Sequence, residues 1–133
     1  MQKFKKVKII TAILMLLLLV TACGENKPPD ASGITATEIG QGGTSFRFEV
    51  TDDKEAISVW NVSTNEKTVG AALLEVDLID SDETVTYVDG IRADFNADKA
   101  YWAFYIDGEY AMTGVGSTDT EEGKIYAFVY TKA

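Results

Sequence analysis

Apolar and polar positions alternate through Ser45-Phe46-Arg47-Phe48-Glu49-Val50 and again through Ala56-Ile57-Ser58-Val59-Trp60-Asn61-Val62. A period of two puts one set of side chains on one side of an extended chain. Both stretches therefore predict half-buried strands, and Thr51-Asp52-Asp53-Lys54 supplies the turn that lets them pair. The pattern then changes. From Thr68 to Ile79 the apolar residues fall at 69, 72, 73, 76 and 79, the spacing of one helix face, with Thr68 placed as the N-cap. Asp80-Ser81-Asp82-Glu83 ends that helix, Thr84 to Val88 reads as a strand, and Asp89-Gly90 turns the chain. Asp107-Gly108 is the strongest hairpin signal, because glycine accepts the positive φ that a type I′ turn imposes. Lys124 to Tyr130 is the last strand. One helix among five or six strands predicts an α+β domain, the helix covering one face of a mostly antiparallel sheet.

The Asp107-Gly108 hairpin raises a question of its own, since aromatic residues occupy both of its faces. Folding it about the turn sets Tyr105 against Tyr110, Ala103 against Met112 and Tyr101 against Gly114. The other face carries Trp102, Phe104, Ile106, Ala111 and Thr113. A single helix covers one face, and the Trp102, Phe104, Ile106 face is the better core candidate, because tyrosine hydroxyls require water or a partner. Tyr101, Tyr105, Tyr110 and Met112 then form either an open patch suited to a small ligand or a protein partner, or a second core layer under the Phe46 to Val62 hairpin.

Ahead of these elements lies a different kind of segment. Lys3, Lys5, Lys6 and Lys8 precede an apolar run from Ile9 to Val20 that only Thr11 interrupts. This is the pattern of a signal peptide, and the run is shorter than the roughly 20 apolar residues of a membrane span. Val20-Thr21-Ala22-Cys23 resembles a bacterial lipobox, which places a diacylglyceryl group on the thiol of Cys23 and cleavage before it. Residues 1–22 would be the lipoprotein signal peptide and residues 23–43 a lipidated, flexible tether containing both prolines. Residues 44–133 would be the single domain. The product is expected on the extracytoplasmic face of a cell membrane, held by its lipid.

Charge narrows the partners. The chain has 12 basic and 21 acidic residues, and losing the four leader lysines leaves eight basic ones, a net charge near −13. Nucleic acid and anionic lipid headgroups repel such a surface. Histidine is absent and Cys23 is the one cysteine, which excludes an internal disulfide, a Ser-His-Asp triad, a Cys-His pair and a His-ligated zinc. No carboxylate pair stands out from loop residues, so an enzyme is not expected. Asp94-Phe95-Asn96-Ala97-Asp98 opens like a calcium loop but continues with Lys99 where Gly is needed and has Tyr105 where a Glu is needed. The chemistry predicts no required cofactor and no metal. Gly114-Val115-Gly116-Ser117-Thr118 lacks the Lys of a phosphate cradle and reads as a strand end whose amides would meet a ligand's polar groups. Asn61-Val62-Ser63 is a glycosylation sequon that a bacterial lipoprotein has no use for.

The string AYWAFYIDGEYAMTGVGST with EEGKIYAFVY, the helix TVGAALLEV and the strand VTYVDG resemble the bacterial DUF4430 domain over roughly Thr44 to Tyr130. That domain is similar to the C-terminal domain of the cobalamin carriers transcobalamin and intrinsic factor. The resemblance implies a β-grasp-like fold and binding of either a corrinoid, cobalamin or a relative of it, or another small ligand. The carriers hold their ligand against a large helical domain for which this chain has no counterpart. The candidate ligand-binding residues are Tyr101, Tyr105, Tyr110, Met112, Gly114, Gly116, Ser117 and Thr118. The competing expectation is a non-catalytic surface module docking on a larger envelope protein.

Overall fold

The computed structural model describes residues 27–133, so Cys23 and the leader lie outside the described residues. Among the described residues, eight strands, two short helices and one 3₁₀ turn follow one another: β1 (Thr37–Gly40), β2 (Thr44–Thr51), β3 (Ile57–Thr64), α1 (Val69–Glu75), β4 (Tyr87–Val88), β5 (Ile91–Arg92), α2 (Phe95–Asp98), β6 (Ala100–Ile106), β7 (Glu109–Tyr110), the turn Val115–Ser117, and β8 (Ile125–Lys132). Six strands form one sheet in the order β1-β3-β2-β8-β6-β7, and β4 and β5 form a small ribbon beside it.

The predicted hairpin β2–β3 pairs along its whole length, with Phe48 facing Trp60, while Ile57 and Val59, the apolar pair of the second strand's alternation, face Thr51 and Glu49 on the other side of the sheet. The last strand then inserts next to β2 in parallel register, Phe48 beside Tyr126, and pairs antiparallel with β6, Trp102 facing Tyr130. A hairpin, a crossing helix and a final strand laid parallel to the first is the β-grasp arrangement. The sheet is mixed, because β1 is also parallel to β3. Residues 37–40, which composition assigns to a tether, are thus an edge strand, and Ala31 before it is buried.

Helix α1 begins where Thr68 accepts a hydrogen bond from the Ala71 amide, and it is shorter than its apolar spacing suggests. Asp77 takes a left-handed φ of 59°, its amide bonds the Leu74 carbonyl and that of Leu78 bonds the Leu73 carbonyl. That is a Schellman ending with Asp where Gly is usual. Leu78 and Ile79 still enter the core, but from the loop. The helix packs Val69, Ala72 and Leu73 on the same sheet face as Phe46, Phe48, Trp102, Phe104, Tyr126 and Phe128. The hairpin face read as core is therefore the core face.

Both Asp-Gly turns take the expected form, with φ of 50° and 76° at Asp89-Gly90 and 49° and 83° at Asp107-Gly108. Asp107 also ties its turn to β8. Its carboxylate accepts the Ile125 amide at 2.9 Å and meets Lys124 Nζ at 3.1 Å. The Ile125 amide, followed by Lys124, holds this carboxyl below the ordinary carboxylate range despite partial burial. A depressed folded-state value contributes stability above the unfolded pKa of about 3.9, and that contribution disappears as pH falls through the folded value. The melting-temperature advantage of the native chain over Asp107→Asn is accordingly expected to hold at neutral pH and to shrink below about pH 4. Paired thermal melts across that range measure it.

Candidate functional site

Alternation along β6 sends Trp102 and Phe104 under the helix and Tyr101, Ala103 and Tyr105 out of the opposite face. The antiparallel register completes that outer face: Thr131 lies opposite Tyr101, Val129 opposite Ala103, and Ala127 and Tyr110 flank Tyr105 from the two neighbouring strands. Small residues make its floor, with Ala103 and Ala127 buried between larger neighbours. Tyr105 and Tyr110 meet edge to face, ring centres 5.7 Å apart at 80°. The result is a cleft of about 420 Å3 lined by Tyr101, Ala103, Tyr105, Tyr110, Thr131 and Lys27. Its volume falls within the usual range for small-molecule sites, about 300–1,000 Å3.

The hydroxyls distinguish this face from the core. Tyr126, under the helix, donates to the Asp119 carbonyl at 3.0 Å. Among the described residues the hydroxyls of Tyr101, Tyr105 and Tyr110 make no such bond, so donors and acceptors surround an aromatic wall. Lys27 adds one cation at the rim. A neighbouring depression of about 490 Å3 is bounded by Pro28–Ser32, Arg47, Glu49, Ile125 and the Asp107-Gly108 turn. It is larger but has less to offer a ligand. Its guanidinium is already spent, donating from Nε to Glu49 at 2.7 Å and from a terminal nitrogen to the Ala31 carbonyl at 2.7 Å.

The structure brings together three of the eight candidate residues. Tyr101, Tyr105 and Tyr110 share the cleft. Met112 does not, because the β6–β7 ladder ends after two pairs, so Ala103–Met112 and Tyr101–Gly114 never form and Met112 is 93% exposed. Gly114, Gly116, Ser117 and Thr118 are on the wrong side of the sheet for the assigned role. They pack against α1, where a Cβ at Gly70 would meet the Gly116 backbone at 3.0 Å. Thr118 is buried and committed, its hydroxyl on the Gly114 carbonyl at 2.8 Å and its own carbonyl accepting the Val69 amide. Gly114, Gly116 and Ser117 border a separate hollow with Asp82 and Glu83. Their amides therefore cannot orient a ligand lying on the tyrosines.

Nor does the Phe46 to Val62 hairpin cover the tyrosine face; it lies within the same sheet. Residues 27–32 approach that face instead. The Asp94 to Asp98 segment is a one-turn helix. Asp94 caps it through the Asn96 and Ala97 amides, and Asp98 holds Arg92 in a two-pronged pair at 2.9 Å. Among the described residues no three His, Cys, Asp or Glu side chains converge as a metal ion requires. Sequence reasoning missed Thr131 and Lys27. The first follows from the β6–β8 register, and the second sits in text that reads as linker.

The class that fold and cleft define is a small α+β domain of β-grasp type with an aromatic cleft on the sheet face opposite the helix. Two solved structures share the fold. One is from Ruminococcus gnavus, described as a "putative metal binding protein", with TM-score 0.63 and 21% identity over 68% of this chain and 99% of that one. The other is haptocorrin in complex with cobinamide, with TM-score 0.52 and 22% identity over 67% of this chain and 25% of that one. The likeness to haptocorrin thus spans a quarter of its length. No family model and no curated protein matches the chain.

Proposed function

We propose that the chain is a lipid-anchored, extracytoplasmic, non-catalytic protein that binds a small ligand in the Tyr101, Tyr105, Tyr110 cleft, with a corrinoid as the ligand class. The observation that carries this reading is three tyrosines around a buried alanine floor, on the sheet face opposite the helix, with hydroxyls that make no hydrogen bond among the described residues. Stacking on the rings would supply most of the affinity and the hydroxyls would orient polar substituents. Haptocorrin, bound to cobinamide and sharing this fold, supports the ligand class. The DUF4430-like strings and the lipobox-like Val20-Thr21-Ala22-Cys23 support an extracytoplasmic lipoprotein. A one-sided cleft is expected to bind less tightly than a ligand clasped between two domains.

The test is a comparison of two substitutions on one strand. Tyr105→Ala is expected to weaken ligand binding about tenfold or more while shifting the melting temperature little. Phe104→Ala, next to it but under the helix, is expected to unfold the domain or lower its melting point steeply. Isothermal titration and thermal melts on both variants decide the matter. Equal losses of stability and binding in Tyr105→Ala would make the tyrosine face a packing surface and overturn the reading.

A further inference from the structure

The described chain enters the domain at the tyrosine cleft itself, because Lys27 lines it together with Tyr101 and Tyr110. From there Pro28–Ser32 cross the same sheet face, fixed where the Arg47 guanidinium donates to the Ala31 carbonyl at 2.7 Å. Cys23 is four residues upstream of Lys27. An extended chain covers at most about 3.3–3.6 Å per residue, so the four residues from Lys27 back to Cys23 can span no more than roughly 14 Å of backbone. A domain of this size has a radius of gyration of about 13 Å, so that reach is shorter than its diameter. An acylated Cys23 therefore cannot hold the domain away from the bilayer with any side facing it. The side nearest the lipid must be the one that Lys27 borders.

We infer that the tyrosine face is the membrane-apposed surface of the protein, resting on a lipid bilayer with Tyr101 and Tyr110 at headgroup level. This rests on the lipid-anchored reading above. The chemistry of the face suits that position. Tyr101 is 39% and Tyr110 58% exposed, and tyrosine favours the membrane interface, its ring apolar and its hydroxyl wet. Lys27 brings a cation to the rim, while Asp82 and Glu83 border the hollow on the helix side. Of the carboxylates on this side, Glu49 is paired with Arg47 and Asp107 with Lys124, which leaves Asp30 beside Lys27 and keeps the face close to neutral despite the acidity of the whole chain. The cleft opens toward the lipid, and its ligand would arrive along the membrane surface.

Labelling tests this in the full chain, expressed where Cys23 is acylated and reconstituted into phosphatidylcholine vesicles carrying a shallow doxyl-lipid quencher. Since Cys23 is the sole cysteine and is blocked when acylated, a thiol-reactive environment-sensitive dye reports one introduced site. Dye at Tyr110→Cys and at Tyr101→Cys is expected to be blue-shifted and quenched severalfold more than dye at Glu83→Cys on the helix side. Equal, water-like signals from all three sites on a chain whose acylation is confirmed by mass would overturn the inference and leave the lipid anchor standing. A chain lacking the acyl group would overturn both. Shielding at residue 110 in whole cells but not in vesicles would instead assign the face to a protein partner.

Discussion

Phe48→Ala is expected to lower the unfolding free energy by about 3–5 kcal/mol, a large share of the 5–15 kcal/mol typical of such domains. Phe48 is fully buried at the centre of β2. Its ring lies 6.1 Å from Phe128 on one neighbouring strand and 5.8 Å from Trp60 on the other. Truncation loses the transfer free energy of the ring and leaves a cavity that neither strand can close without breaking register. The central parallel pair β2–β8 joins the two ends of the domain, so the loss is expected to be global. Urea unfolding followed by tryptophan fluorescence would show one cooperative transition displaced to lower denaturant with little change in slope.

Gly70→Ala is expected to destabilise the protein by about 1–3 kcal/mol, against the direction that helix propensity predicts. In an exposed helix, alanine for glycine gains up to about 1 kcal/mol. At position 70 a Cβ would lie 2.6 Å from Asp82 Cβ and 3.0 Å from Gly116 Cα. Gly116 faces the same restriction, since its own added Cβ would come 2.7 Å from the Asp82 carbonyl oxygen. These are backbone and near-backbone atoms that cannot swing aside, so α1 would have to move off the Val115–Ser117 turn. A thermal melt decides the sign. A higher melting temperature for Gly70→Ala would show that the turn yields easily and that propensity prevails.

Much of this fold was legible in the sequence because its signals are local. Alternation marked the β2–β3 hairpin, the Thr68 cap and apolar spacing marked where α1 starts and faces, and two Asp-Gly pairs marked two turns, the one at Asp107-Gly108 as a hairpin. The errors arise where a remote contact decides. The helix ends early because Asp77 accepts a left-handed conformation, which the apolar residues beyond it conceal. Residues 37–40 became a strand because β3 offers them an edge, although the glycines around them read as linker. The Gly114 to Thr118 segment fell on the wrong face because the β6–β7 ladder stops at Tyr110, so counting register outward from the turn fails after two pairs. That Tyr101, Tyr105 and Tyr110 share the face opposite the helix was legible because an aromatic alternation cannot bury both faces against one helix. Lys27 and Thr131 were missed because only the three-dimensional register brings them there.

The most direct test of the central claim is a titration of a chain beginning at Gly24, which keeps every described element, with cobinamide and with cobalamin. Visible corrin absorption and intrinsic tyrosine and tryptophan fluorescence are followed together. The tyrosine cleft predicts saturable one-to-one binding at about micromolar strength, near −8 kcal/mol, that weakens at least about tenfold in Tyr105→Ala. Absence of any saturable change with either corrinoid at millimolar concentration, or binding that Tyr105→Ala leaves untouched, would contradict it.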